Sequence, residues 1–271
     1  MVKPSLDAHR IVSPDDWLKA RKQLLAQEKE FTRLRDRLSQ QRRELPWVKV
    51  EKNYVFDGPR GKESLADLFE GRSQLVVYHF MFAPEEGEEP CRSCSFWADN
   101  FNPIGVHLNH RDVAMVAISR APYEELEAFK RRMGWSFKWV SSGSNDFNYD
   151  YHVSFTPEQR AKDKVYYNFE MNDVKAQGFD SDELPGASVF YKDEAGNVFH
   201  TFSAYGRGLE PLLGAYNLLD LTPKGRDEER NMMDWLRHHD RYDEVRSDAG
   251  TGASAAAAAQ GVQHEAGRSC H

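Results

Sequence analysis

Two apolar runs of strand length bracket a cysteine pair, and this arrangement limits the fold more than any other stretch of the chain. The first run is Leu75-Val76-Val77-Tyr78-His79-Phe80-Met81-Phe82, and the second is Val113-Ala114-Met115-Val116-Ala117-Ile118. Neither alternates apolar with polar residues, so each predicts a strand covered on both faces, in an α/β domain with a buried, mostly parallel core. Between them lie an acidic loop from Glu85 to Pro90, the sequence Cys91-Arg92-Ser93-Cys94, and a helix-compatible stretch with Phe96, Trp97 and Phe101. Strand, C-x-x-C loop, helix, strand is the context in which that motif reads as a redox-active dithiol.

Thiol–disulfide exchange needs an accessible attacking thiolate and a second thiol close enough to resolve the mixed disulfide. C-x-x-C at a helix N-terminus supplies both, because one turn brings the sulfurs together and the free amides and helix dipole favour a thiolate. Cys91, at the helix mouth, is the expected nucleophile. Cys94, one turn further in, is the expected resolving thiol. Arg92 adds positive charge beside Cys91, whereas Glu85, Glu86, Glu88 and Glu89 disfavour a thiolate, and screening over about 8 Å leaves the loop conformation to decide between them. Zinc is the alternative use of the pair, with His107 and His110 downstream. Their two-residue gap is shorter than finger spacing and Pro103 interrupts the finger helix, so no metal is expected. A third reading, buried and inert cysteines, is disfavoured by the polar neighbours Arg92 and Ser93.

The 271-residue chain is long enough for one substantial core with extensions. Its formal charge of -7 argues against a nucleic-acid partner. No apolar run reaches bilayer-spanning length, and residues 1–16 lack a secretory h-region, so no membrane association and a cytoplasmic location are expected. Three cysteines are too few for a disulfide scaffold. No cofactor is implied.

Ser13-Pro14-Asp15-Asp16 is a helix start, with serine as cap, proline in the first turn and acids behind it. Trp17, Leu24, Phe31 and Leu38 then recur every seven residues up to Pro46. The stripe suits an arm packed on its own domain or a homodimer through this helix. Residues 1–46 are therefore an N-terminal helical arm, 47–223 the α/β domain, 224–247 a C-terminal helix and 248–271 a disordered tail containing Cys270. Within the domain, a strand is expected around Val48 to Phe56, a turn at residues 57–61, and a short helix capped by Ser64-Leu65-Ala66-Asp67. A helix is expected over 123–133, a hairpin joining 189–191 to 198–202, and a closing helix over 209–219. The aromatic-rich stretch 135–169 yields no firm assignment.

These residues resemble the thioredoxin-like superfamily over about 47–220, and its peroxiredoxin-type branch more closely than thioredoxin. Specific runs are similar to a bacterial family of uncharacterised thioredoxin-like proteins taken to be dithiol–disulfide oxidoreductases: Glu44-Leu45-Pro46-Trp47, Tyr78-His79-Phe80-Met81, Cys94-Ser95-Phe96-Trp97-Ala98-Asp99-Asn100, Arg132-Met133-Gly134-Trp135-Ser136, Tyr205-Gly206-Arg207-Gly208 and Gly225-Arg226-Asp227-Glu228. The resemblance implies a three-layer sandwich with a mixed central sheet, and protein or small-molecule thiols and disulfides as partners. Arg92, Trp97, Ser188, Tyr205 and Arg207 are secondary candidates for shaping the site, and Pro185-Gly186-Ala187-Ser188 lies near the place of the thioredoxin cis-proline, slightly out of register. A peroxiredoxin-like peroxidase and a non-catalytic interaction domain are the alternatives. Against the former, Glu88 stands where the peroxiredoxin loop following Pro84 carries a hydroxyl, and a carboxylate there repels a developing oxyanion.

Overall fold

The first ordered element bears out the capping signal. In the computed structural model, which describes residues 9–83, 89–162, 164–173, 181–228 and 233–242, helix α1 spans Pro14–Glu44. Ser13 caps it by accepting the Asp16 amide at 3.2 Å, and Leu45 ends it ahead of Pro46. Pro84, Glu85 to Glu88, the last residues of the expected C-terminal helix (243–247) and the tail with Cys270 lie outside the described residues.

The single strand expected around Val48 to Phe56 is two strands placed at opposite sides of one sheet. They are β1 (Val48–Lys49) and β2 (Val55–Gly58); β3 (Gly61–Ser64) completes a hairpin with β2. Gly61 takes a positive φ of 88° in that turn, a conformation open to glycine at little cost. Ser64 and Asp67 then cap each other reciprocally, starting a short 3-10 helix at Asp67–Phe69. Next come β4 (Gln74–His79), α2 (Arg92–Ala98), α3 (Phe101–His110), β5 (Val113–Ser119), α4 (Tyr123–Arg132) and β6 (Lys138–Ser141). The unassigned stretch resolves into β6, two one-turn helices, α5 (Phe147–Asp150) and α6 (Pro157–Arg160), and a separate hairpin, β7 (Lys164–Tyr167) with β8 (Glu170–Asp173). The last hairpin is β9 (Gly186–Lys192) and β10 (Val198–Tyr205), followed by a 3-10 helix (Gly206–Leu212) and α7 (Gly214–Leu219).

Among the described residues the main sheet has eight strands in the order β1-β10-β9-β4-β5-β6-β2-β3. Only the β4–β5 and β5–β6 junctions are parallel, so the sheet is mixed and its parallel part is confined to the centre. Its four strands β10-β9-β4-β5, with α2 leaving the C-terminal end of β4, make the thioredoxin-like arrangement. Residues alternate between two cores. Tyr78, Phe80, Ala117 and Trp139 face α2, α4 and α7, whereas Leu75, Val77, Val116, Ile118 and Val140 face the first 3-10 helix and α5. The result is a three-layer α/β sandwich.

The expected C-terminal helix is not formed over the described residues. Asp227 and Met233 adopt positive φ, and from residue 233 to 241 the only helical piece is a 3-10 turn at His239–Arg241. Side-chain burial overrides helical spacing here. Tyr216, the Trp235 indole and the Met233 amide all donate to Glu228 Oε1, and Leu236 and His238 are each 1% exposed. No helix among the described residues is long and apolar enough to cross a membrane.

Candidate active site

Cys91 is the N-cap of α2, and its sulfur takes the place a serine or aspartate oxygen usually fills. Sγ accepts the Cys94 amide at 3.1 Å and lies 3.2 Å from the Ser93 hydroxyl. The loop is pinned from behind by Cys91 N–H donating to the Met81 carbonyl at 3.3 Å, and by the Ser95 hydroxyl on the Cys91 carbonyl at 3.0 Å. Cys91 is half-buried and Cys94 fully buried, and both are free thiols. A hydrogen bond from the Cys94 thiol, with those from Ser93 and the backbone amides, outweighs burial and brings the Cys91 thiol down to about 7. Burial, together with the Cys91 thiolate, pushes the Cys94 thiol well up. The pair is therefore asymmetric: one sulfur whose pKa is lowered, on a half-buried residue, and one whose pKa is raised, fully buried behind it. Of the acidic loop, Glu89 is tied to Arg241 at 2.6 Å, so its charge is compensated.

Two tyrosines that were not among the expected site residues lie near the buried sulfur, Tyr78 from the first apolar run and Tyr167 from the stretch without a firm assignment. The Tyr78 hydroxyl is buried next to Cys94 and finds no hydrogen-bond partner of good geometry among the described residues. Burial raises its pKa well above the ordinary tyrosine value, so it acts as an O–H donor and not as a base. Tyr167 reaches the same neighbourhood from β7, where its hydroxyl donates to the Pro185 carbonyl at 2.7 Å and accepts the Gly206 amide at 2.8 Å. A phenol inside an otherwise apolar strand was the available signal for Tyr78. Nothing local to Tyr167 distinguished it from its aromatic neighbours.

Removing the Tyr78 hydroxyl should separate stability from chemistry. Tyr78→Phe deletes a buried, poorly partnered polar group, so the fold should keep or gain stability. Donation to a charged sulfur is worth about 1.5–3 kcal/mol, so release of a mixed disulfide by Cys94 should slow about tenfold or more. Denaturant melts and single-turnover kinetics check the two halves, and an unchanged release rate would remove Tyr78 from the site.

The secondary candidates divide. Trp97 belongs to α2, where its indole N–H donates to the Leu209 carbonyl at 3.1 Å and ties the dithiol helix to the segment after β10. Arg92 is exposed and its guanidinium donates to the Leu236 carbonyl at 3.4 Å. Tyr205 packs on Tyr167 and donates to the Tyr151 carbonyl, supporting the site at one remove. Arg207 is exposed and paired with Glu210 at 2.8 Å. Ser188 lies on the opposite face of the sheet, bonded to His79 Nε2 at 2.8 Å and to Ser203 at 2.9 Å; it pairs with Val77, whose side chain faces away from α2. It therefore does not shape the dithiol site. The peptide before Pro185 is trans, and the Pro185 carbonyl is occupied by Tyr167. Gly186 is required by close packing, since a Cβ there would meet Tyr205 and Val153 at 2.9 Å. His107 and His110 stand in the last turn of α3, whereas the cysteines open α2.

A strap from Met233 to Tyr242, within the stretch 224–247 expected to be a C-terminal helix, runs along α2. His238 Nε2 donates to the Pro90 carbonyl at 3.0 Å while its Nδ1 accepts from Arg132, and His239 pairs with Asp99 at 2.7 Å. Arg132 also pairs with Asp240, and Trp235 packs edge-on against Phe96. The strap's contacts flank the motif, at Pro90 before it and at Phe96 and Asp99 after it.

Among solved structures, the chain is similar to peroxidoxin BcpB from Mycobacterium tuberculosis, with 12% identity, a TM-score of 0.39, and coverage of 62% of this chain and 94% of that one. It is also similar to peroxiredoxin Q from Xanthomonas campestris, with 13% identity, a TM-score of 0.38, and coverage of 58% of this chain and 86% of that one. No curated protein matches it. With residues 6–242 matching the family model, the chain belongs to the bacterial proteins of unknown function grouped as DUF899.

Proposed function

We propose that this protein is a dithiol–disulfide oxidoreductase acting through Cys91 and Cys94. The observation that carries the reading is the Cys91 sulfur at the α2 N-cap, lowered to about 7 by donors around it, with a buried thiol one turn behind. In the reducing direction the Cys91 thiolate attacks one sulfur of a substrate disulfide, forming a mixed disulfide and expelling the other sulfur as a thiolate that takes up a proton. Cys94 then loses its proton and attacks Cys91. The second substrate thiol leaves, the substrate has gained two electrons, and Cys91–Cys94 is the oxidised product. The reverse sequence oxidises a dithiol substrate. Tyr78 is placed to stabilise the Cys94 thiolate while it attacks.

The partners are protein or small-molecule thiols and disulfides, including the thiol that resets the pair, and we place the reaction in the reducing cytoplasm. The pH dependence tests the assignment. A thiol at about 7 is half ionised at neutral pH, against a few per cent for an ordinary thiol near 8.5. Iodoacetamide alkylation of Cys91, read by peptide mass, should therefore rise with pH around a midpoint near 7 and flatten above 8. A midpoint at or above 8.5 would show that Cys91 is not activated and would sink the reading.

A further inference from the structure

No residue of α1 is buried along its 31 residues, yet Trp17, Leu24, Phe31 and Leu38 are 59%, 51%, 66% and 42% exposed. Their seven-residue spacing puts them in one column along a helix about 46 Å long. The apolar row continues past the helix end through Leu45, Trp47 and Val48 to β1, which among the described residues pairs on one side only, with β10. An uncovered row of that length and aromatic content marks an interface.

The charges beside the column select the occupant. With Trp17, Leu24, Phe31 and Leu38 as position a, one flank carries Asp16, Gln23, Glu30 and Arg37, and the other carries Arg21, Glu28, Arg35 and Arg42. In a parallel pair of identical helices, each residue of the first flank meets the residue five positions on in the second copy. Asp16 then meets Arg21, Glu30 meets Arg35, and Gln23 meets Glu28; only Arg37 against Arg42 is unfavourable. An antiparallel pair that stacks Leu24 on Leu34 sets Glu30 against Glu30, Glu28 against Glu28 and Arg21 against Arg35. It also puts Phe31 on Gln27, whereas the parallel pair stacks apolar residues on themselves in every a layer and pairs Gln27 and Gln41 with their own copies in the d layers, beside the apolar d residues Ala20 and Leu34.

We propose that α1 forms a parallel two-stranded coiled coil with α1 of a second copy of this chain, with both domains hanging from the same end and their β1 edges adjacent. The proposal is independent of the redox reading. Sedimentation equilibrium of the full chain should give twice the chain mass; a monomer or a trimer overturns it. Glu30→Lys sets like charges across both flanks and should weaken the dimer about tenfold or more, and adding Arg35→Glu should restore it. An unaffected E30K protein, or a double variant that is not restored, contradicts the register. Leu24→Cys, in a chain whose three native cysteines are serines, should cross-link to a covalent dimer under mild oxidation. An intact dimer that does not cross-link would overturn the parallel arrangement. Near-ultraviolet circular dichroism, dominated by the tryptophans of the domain, reports that each variant is folded.

Discussion

Cys91→Ser is expected to abolish disulfide exchange, and Cys94→Ser is expected to turn the protein into a trap. A serine at the α2 N-cap keeps the cap hydrogen bond, since its oxygen accepts the Cys94 amide at least as well as sulfur does. Folding should therefore be preserved. Serine is not ionised near neutral pH, so exchange should fall by about a hundredfold or more, to the uncatalysed background. Cys94→Ser leaves the activated sulfur in place and removes the group that releases it. Mixed disulfides through Cys91 should then accumulate on incubation with a disulfide substrate. Peptide mass mapping reads them directly. Residual exchange by the Cys91→Ser protein, or trapping through another position, would reassign the chemistry.

Trp139→Ala should be the most damaging single change to the fold beneath the site. Trp139 is 1% exposed on β6, with ring centroids of Phe80, Trp135, Phe129 and Phe82 at 4.6, 5.9, 6.3 and 6.4 Å. Its indole N–H donates to the Ser119 hydroxyl at 3.0 Å, which in turn donates to the Phe80 carbonyl at 2.7 Å. Truncation leaves a large cavity under α4 and takes away the donor to the Ser119 hydroxyl, a loss of about 3–5 kcal/mol against a typical total of about 5–15. Trp139→Phe fills most of the space and should recover about half of that loss. Urea melts with matched m-values decide it. A loss under about 1 kcal/mol for the alanine variant would mean the aromatic layer packs loosely.

The dithiol unit was legible in the sequence because its determinants are local. The runs at Leu75 and Val113 are apolar on both faces and lie one helical connection apart, so they became the parallel neighbours β4 and β5. Cys91 occupies the cap because Pro90 precedes it and a helix-compatible run follows. The α1 boundaries were equally local, set by Ser13 and Pro46. The rest depends on partners far along the chain. Val48 and Phe56 read as one strand, yet β1 joins β10 while β2 joins β6, a choice that no residue between them encodes.

Other misreadings follow the same physics. Ser188 was taken for a site residue from its nearness to Pro185. Its partners are His79 and Ser203, two more polar residues of neighbouring strands, which it bridges on the far face of the sheet. Residues 233–242 fall within the stretch expected to form a C-terminal helix. Burial of Leu236 and His238 against the dithiol helix and α4 draws them out as a strap instead, and Tyr167 comes to the site only because β7 and β8 fold back beside β10.

The account stands on one bond. After equilibration of the intact protein with oxidised glutathione, blocking of free thiols and proteolysis, mass mapping should find Cys91 joined to Cys94 in most molecules. Finding both cysteines alkylated, or glutathione left stably on Cys91, would show that the pair does not close and would contradict it.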